Sequence, residues 1–408
     1  MSISTLPLCY CCNVHPGRTL KEVLQGLERY AAEVRKKLGK AQLGVGLWLA
    51  RPVVDELLSS PEALSGLSRT LAEHQLVCYT LNAFPFGDFH KERVKQEVYC
   101  PNWAETARRD YTVDCARVLC HLLAEGQEGS VSTVPLAYGT DPKYKPDTAL
   151  THLLQCADAL HGLWEQTGRL VRLAIEPEPF CRLEQSEQVA AFFQNELWPA
   201  AERTGRGERV RQHVGVCFDV CHQAVLFEDV EASVELLKKA EVRMNKVHVS
   251  CALKAVSPGE REEVRTALQQ FVEPRYLHQT FAQTSSGRLL RAEDLTEQLL
   301  AECPSQWQQA EQWRVHFHVP VYADTLGPLQ TTRPELKAAL NAVARLDYAP
   351  HLEVETYTWS VLPDEPTDLV SGLTRELTAT EALLAQARHC RSNKRRSNKQ
   401  SDRSNGQN

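Results

Sequence analysis

The 408-residue chain is 43% hydrophobic and 24% charged, enough to bury the core of one large α/β domain or two smaller ones. Its net charge of −6 is uneven: residues 388–408 hold seven Lys/Arg against Asp402, which leaves −12 on the rest (the total less the tail's +6) and excludes a broad nucleic-acid surface. The opening MSISTLPLCYCC has no basic segment leading into a long apolar run, and no stretch approaches the roughly 20 apolar residues of a membrane span, so neither a secretory signal nor an integral membrane protein is expected.

In chain order, short apolar runs alternate with segments of helical period. The run 6–13 (LPLCYCCN) leads into a helix over 19–38, whose Leu20, Val23, Leu27, Tyr30, Val34 and Leu38 share one face. The run 43–49 (LGVGLWL) precedes a helix over 61–73, opened by Ser60 as cap and Pro61 at the first helical position. The runs 76–84, 129–136, 170–176, 214–219 and 246–251 follow, with helices predicted over about 104–124, 147–167, 186–203 and 229–240. After the seventh run, residues 253–312 are rich in Gln, Glu and Arg and suggest an insertion with some helix. A further apolar run, 313–321 (WRVHFHVPV), precedes a helix over 334–346 and the last strand, 351–357 (HLEVETY). Residues 391–408 hold no apolar side chain and predict a basic, disordered, solvated tail.

Eight runs apolar on both faces, alternating with helices, predict a parallel sheet closed as a (β/α)8 TIM barrel over residues 1–390. No GxGxxG or GxxxxGK[ST] follows the first strand, which argues against a dinucleotide or P-loop fold. The 14 cysteines are scattered through strands and helices, as expected of buried, reduced thiols in a cytoplasmic protein. No pair of CxxC knuckles points to a structural zinc.

In such a barrel, polar residues at the carboxyl ends of the strands converge on one mouth. There the late strands offer Glu176 (LAIEPEPF), Asp219 and His222 (CFDVCH), His248 (KVHVSC) and Glu355 (HLEVETYTW). Each is ionisable and set in or just after an apolar run, where burial is costly without a partner. Two Glu, one Asp and one His form a mostly oxygen, strongly negative donor set, suited to Mn2+, Mg2+ or Co2+ and open to Zn2+ as histidines are added. Cys217 shares the pleat of Asp219 and belongs one layer deeper, while Cys221 lies past the strand; both thiols are assigned to packing. Glu178 is a second carboxylate near Glu176. Asn13, His15, Trp48, Asn82, Phe84 and His90 at the early strand ends, with Tyr357 and Trp359, are candidate pocket walls. For the aromatic ones, core filling is an equal alternative.

These strand-end residues resemble the xylose isomerase-like TIM barrel superfamily, which includes sugar phosphate isomerases and epimerases and the endonuclease IV type of phosphodiesterase. The stretches CNVHPG, GLWLA, YTLNAFPFGDFH, STVPL, IEPEP, FDVCHQAV and LEVETYTW resemble, more narrowly, the EboE-type metabolite traffic proteins. The resemblance implies a divalent metal on Glu176, Asp219, His248 and Glu355, with His222 touching substrate or metal. It also puts 313–321 in the long loop after strand seven, where the endonucleases carry Asp-x-His. Here the pattern is His316-x-His318, so His318, and less directly His316, are candidate ligands or substrate contacts. The implied activity is isomerisation or epimerisation of a small polyhydroxylated or secondary-metabolite precursor, with Glu176 and Glu355 passing a proton and His222 orienting an oxygen. The alternatives are a metal-dependent phosphoesterase, on a substrate other than DNA, and a non-catalytic protein that binds a metabolite and hands it to partners of an export pathway.

Overall fold

The computed structural model of the chain describes residues 6–363 and 368–405, the side chains of 390–405 excepted. Seven parallel strands come first: β1 (Cys9–Cys11), β2 (Leu43–Trp48), β3 (Leu76–Asn82), β4 (Glu128–Thr133), β5 (Leu170–Ile175), β6 (Val214–Asp219) and β7 (Met244–Val249). An added segment follows, with β8 (Leu253–Val256), β9 (Thr280–Thr284), β10 (Leu289–Ala292), β11 (Ala310–Val315), β12 (Thr325–Leu326) and β13 (Leu329–Thr331). The chain then returns to the barrel through β14 (His351–Val354), which pairs in parallel with both β7 and β1 and closes the ring. The fold is therefore the eight-stranded parallel barrel that the alternation of runs predicts.

Local chemistry explains the helices around it. Pro61–Glu73 starts where Ser60 Oγ accepts from the Ala63 amide, with Pro61 in the first turn. The helical stretch from Leu20 begins with a Thr19/Glu22 capping box and ends at Gly39, whose φ of 65° lets the chain turn off in the left-handed region. The 104–124 and 147–167 expectations correspond to Thr106–Leu122 and Pro146–Thr167. No helix among the described residues is long and apolar enough to cross a membrane.

The added segment differs from its sequence reading. It is built on a six-stranded antiparallel sheet in the order β10-β9-β11-β8-β13-β12, reaching Thr331 rather than 312. The run 313–321 is accordingly not all loop: Trp313 to Val315 pair with β8 and β9, and only the residues after Val315 leave the sheet. β8 alternates buried Leu253 and Ala255 with half-buried Lys254 and Val256, so no continuous apolar run marks it. This sheet rests on the loops at the carboxyl ends of the barrel strands. The Val94 and Lys95 amides donate to Arg275 O, Lys95 Nζ pairs with Asp294 at 2.6 Å, and Arg291 pairs with Glu184 at 2.5 Å. It thus forms one side of the barrel mouth. The last helix, Leu369–Asn405, packs its first turns on the barrel. Of the tail expected to be disordered over 391–408, the backbone of 391–405 continues this helix, and its side chains and residues 406–408 lie outside the described residues.

Candidate metal centre

Glu176 and Glu355 extend their strands by one rung, the Glu176 amide donating to Thr133 O and the Glu355 amide to Val249 O. Asp219 ends β6, and His248 stands opposite it in register on β7. Four strand ends therefore deliver one ligand atom each from Glu176, Asp219, His248 and Glu355, all lying within 4.8 Å of one another. His248 Nδ1 is 2.9 Å from Glu176 Oε1, 3.1 Å from Glu355 Oε2 and 3.3 Å from Asp219 Oδ2.

Neighbouring groups fix how each carboxylate points. Asp219 Oδ1 caps the short helix Val220–Val225 by accepting from the His222 amide (3.1 Å), and also accepts from Ser250 Oγ (2.8 Å). Glu355 Oε1 accepts from Asn13 Nδ2 (2.8 Å) and Asn82 Nδ2 (3.3 Å). The remaining oxygens, Asp219 Oδ2 and Glu176 Oε2, are buried without a hydrogen-bond partner. Three converging carboxylates with orphaned oxygens are costly unless a cation answers them. The donor set therefore fits a divalent ion.

Two more imidazoles face the same spot. His222 Nδ1 bonds Pro177 O (2.9 Å), leaving Nε2 3.8 Å from Asp219 Oδ2. His318 Nδ1 bonds Glu355 O (2.8 Å), leaving an unpartnered Nε2 3.9 Å from Asp219 Oδ2. Burial alone would raise the Asp219 carboxyl, but the imidazoles of His222 and His318 hold it well below its usual range. His316 completes the row, with Nδ1 on Gln279 Oε1 at 2.6 Å and Nε2 unpartnered. Burial, reinforced by His222 and His318, pushes His316 well down and keeps it neutral. Burial raises the Glu178 carboxyl to about 7, even against the pull of His222 and the Tyr99 hydroxyl, which donates to it at 2.6 Å.

Above these groups opens a pocket with about 520 Å3 of atom-free space, part of it open to solvent. Its polar floor includes Asn13, Asn82, Glu176, Glu178, His222, His316 and Glu355, and its walls include Phe84, Phe89, Tyr99, Tyr276 and Tyr357. Four of the expected wall residues are absent from it. His15 is buried against Tyr30, its Nε2 on Tyr10 Oη (3.0 Å). Trp48 turns toward Gly17, where a Cβ would lie 2.8 Å from the indole, and donates to Pro85 O. His90 stands behind Asn13, its Nε2 2.8 Å from the Asn13 carbonyl. Trp359 turns to the last helix and donates to Glu376 at 3.0 Å. Past a strand's end the loop, not the pleat, sets side-chain direction. The sequence reading missed Phe89, Tyr99 and Tyr276, which come from a long loop and from the added segment.

The two cysteines of CFDVCH, assigned to packing from the sequence, are buried beside the site, Cys217 grouping within 4.8 Å with Glu176 and His248 and Cys221 with His316 and His318. Burial raises the Cys217 thiol to about 12, and Cys221 packs with Val225, Leu226, Ala252 and Phe281. Two residues the sequence reading passed over lie directly under the centre. Lys246 and Glu353 are both fully buried and paired at 2.6 Å, and Glu353 Oε2 also takes a hydrogen bond from His248 Nε2 (3.0 Å). Burial would raise Glu353, but Lys246 and His248 bring it down to about 2.

No protein-family model matches the chain, and no curated protein matches its sequence. Among solved structures it is similar to an IolI protein with a bound zinc atom, at 13% identity, 94% of this chain and 99% of that one, with a TM-score of 0.47. It is also similar to a candidate sugar phosphate isomerase/epimerase from Anabaena variabilis, at 14% identity, 94% and 100% coverage, with a TM-score of 0.48. A third likeness is to SacUVDE, at 11% identity, 92% and 99% coverage, with a TM-score of 0.39. These distant likenesses leave the chemistry to the chain's own residues.

Proposed function

We propose that the protein is a divalent-metal-dependent isomerase or epimerase of a small polyhydroxylated carbonyl compound. The observation that carries this reading is the convergence of Glu176, Asp219, His248 and Glu355, with two orphaned carboxylate oxygens, at an aromatic-walled pocket that Glu176 and Glu355 line. A bound Mn2+, Mg2+ or Co2+ would supply a Lewis acid that polarises substrate oxygens. Glu176 and Glu355 both line the pocket, so one can take the proton from a carbon beside the carbonyl and the other return it. Asn13 and Asn82 hold Glu355 Oε1 and thereby fix which oxygen faces the centre. His222, tethered to Pro177 O, presents Nε2 to orient a substrate hydroxyl. The aromatic walls suit the apolar faces of a ring. The EboE-type motifs support a secondary-metabolite precursor as substrate, met in the cytoplasm beside partners of an export pathway. The test is to incubate metal-loaded protein with a panel of free and phosphorylated ketoses in deuterated water. Deuterium should enter at the carbon next to the carbonyl, and Glu355→Gln should abolish it. Equal incorporation with that variant would rule out the role of Glu355.

One observation favours a second reading, metal-dependent phosphoester hydrolysis. Asp219, His222 and His318 form a further group with ligand atoms within 4.8 Å, which could hold another ion beside the first. Two or three Zn2+ per chain, with release of phosphate from model esters, would support it over isomerisation.

A further inference from the structure

Under the candidate centre the barrel interior holds a charged pair that the proposed chemistry does not use. Lys246 and His248 are two apart on β7, and Glu355, one rung past the end of β14, is two residues from Glu353 on that strand, so the pleat points all four inward in two layers. The strands pair with Glu353 opposite His248. Glu353 Oε2 is 3.0 Å from His248 Nε2 and 2.6 Å from Lys246 Nζ, and Lys246 also donates to Ser132 Oγ at 3.1 Å. Room for the Glu353 carboxylate exists because β2 has Gly46 there: a Cβ at that position would fall on Glu353 Oε1. A barrel of this size could fill that layer with aliphatic side chains, and a buried ion pair is often no more stabilising than such packing.

We propose that Glu353 is a positioning residue for His248, itself held in place by Lys246; the proposal rests on the metal-centre reading above. Glu353 accepts from Nε2–H and so fixes the tautomer in which the Nδ1 lone pair faces Glu176, Asp219 and Glu355. Lys246, on the same carboxylate oxygen at 2.6 Å and bonded to Ser132 Oγ, anchors Glu353 in that position. Without the pair, the imidazole can swing or present its N–H to the centre.

The test separates positioning from simple stability. The Lys246→Met, Glu353→Leu double variant replaces both charges with apolar groups, so a purely structural role is fulfilled without them. Mn2+ affinity is read by titration calorimetry on the full chain, beside the melting temperature in chelator. We expect a melting temperature close to wild type and Mn2+ binding weaker by about 10- to 100-fold. Wild-type affinity in a folded double variant would overturn the proposal. A second measurement holds even if that variant fails to fold. In the zinc-loaded wild-type protein, 15N shifts of labelled histidines should show His248 with a proton on Nε2 and the metal on Nδ1, and the opposite assignment would overturn it. Failure of the metal-centre reading looks different: the wild type itself would bind no Mn2+, or Asp219→Asn would leave binding unchanged.

Discussion

Asn13 donates through Nδ2 to Glu355 Oε1 at 2.8 Å, joining the first strand end to the last across 342 residues of chain. Because the acceptor is ionised, the bond belongs to the stronger class of about 1.5–3 kcal/mol. Asn13→Ala removes the donor and leaves Asn82, at 3.3 Å, as the remaining anchor for that oxygen. The variant should fold and bind Mn2+ about tenfold more weakly by calorimetry. Unchanged affinity would show that Asn82 alone positions Glu355.

Asp219 has two tasks that one substitution separates. Asparagine can still cap the helix at Val220 and accept from Ser250, but carries no charge to the centre. Adding metal at about 100 times its dissociation constant should stabilise the wild type by about 2.7 kcal/mol. In Asp219→Asn that gain should vanish, and the metal-free protein should itself be less stable near neutral pH, since the fold favours the Asp219 charge through His222 and His318. A metal-dependent rise in melting temperature that survives the substitution would remove Asp219 from the ligand set.

Gly46→Ala tests the layer beneath. The new methyl collides with Glu353, and displacing that carboxylate strands Lys246 in the barrel. Breaking a buried pair costs about 3–5 kcal/mol, so urea unfolding should show a loss of that order. A loss under about 1 kcal/mol, within the range of ordinary substitutions, would mean the pair tolerates displacement.

Acid should destabilise the protein partly through His351. This side chain is buried at the amino end of β14, with Nδ1 on Ser130 Oγ at 2.9 Å. Burial first, then Lys246, Arg172 and Arg243, lower it from 6.5 to about 3, with Glu353 opposing. It is neutral in the fold and charged when unfolded below pH 6.5, so its contribution is full above 6.5 and is lost as pH falls toward 3. At pH 4.5 the loss is about 2–3 kcal/mol. His351→Gln should shrink the difference in unfolding free energy between pH 7 and 4.5 by that amount, and an unaltered difference would exonerate His351.

The barrel was legible because its strands are buried on both faces and read as apolar runs broken by helices. The strand-end acids and histidines were legible for the same reason, as ionisable letters in apolar surroundings. Lys246 and Glu353 carry the same signal, two residues before His248 and Glu355 and of equal parity, but they lie inside the strands, below the mouth on which strand-end residues converge. The antiparallel sheet was hidden because its strands are short and β8 pairs with β11 and β13, far along the chain. His90 and Trp359 were misplaced because they lie outside the strands, where the pleat does not direct them, and Trp48, the last residue of β2, because its indole is drawn to Pro85 O and Gly17.

The most direct test of the metal centre is the metal content of the purified chain, reloaded with Mn2+ or Zn2+ and freed of excess, as wild type and as Asp219→Asn. One ion per wild-type chain and none in the variant is the expected result. A wild type that retains no ion, or a variant that retains as much as the wild type, would contradict a metal centre on Glu176, Asp219, His248 and Glu355.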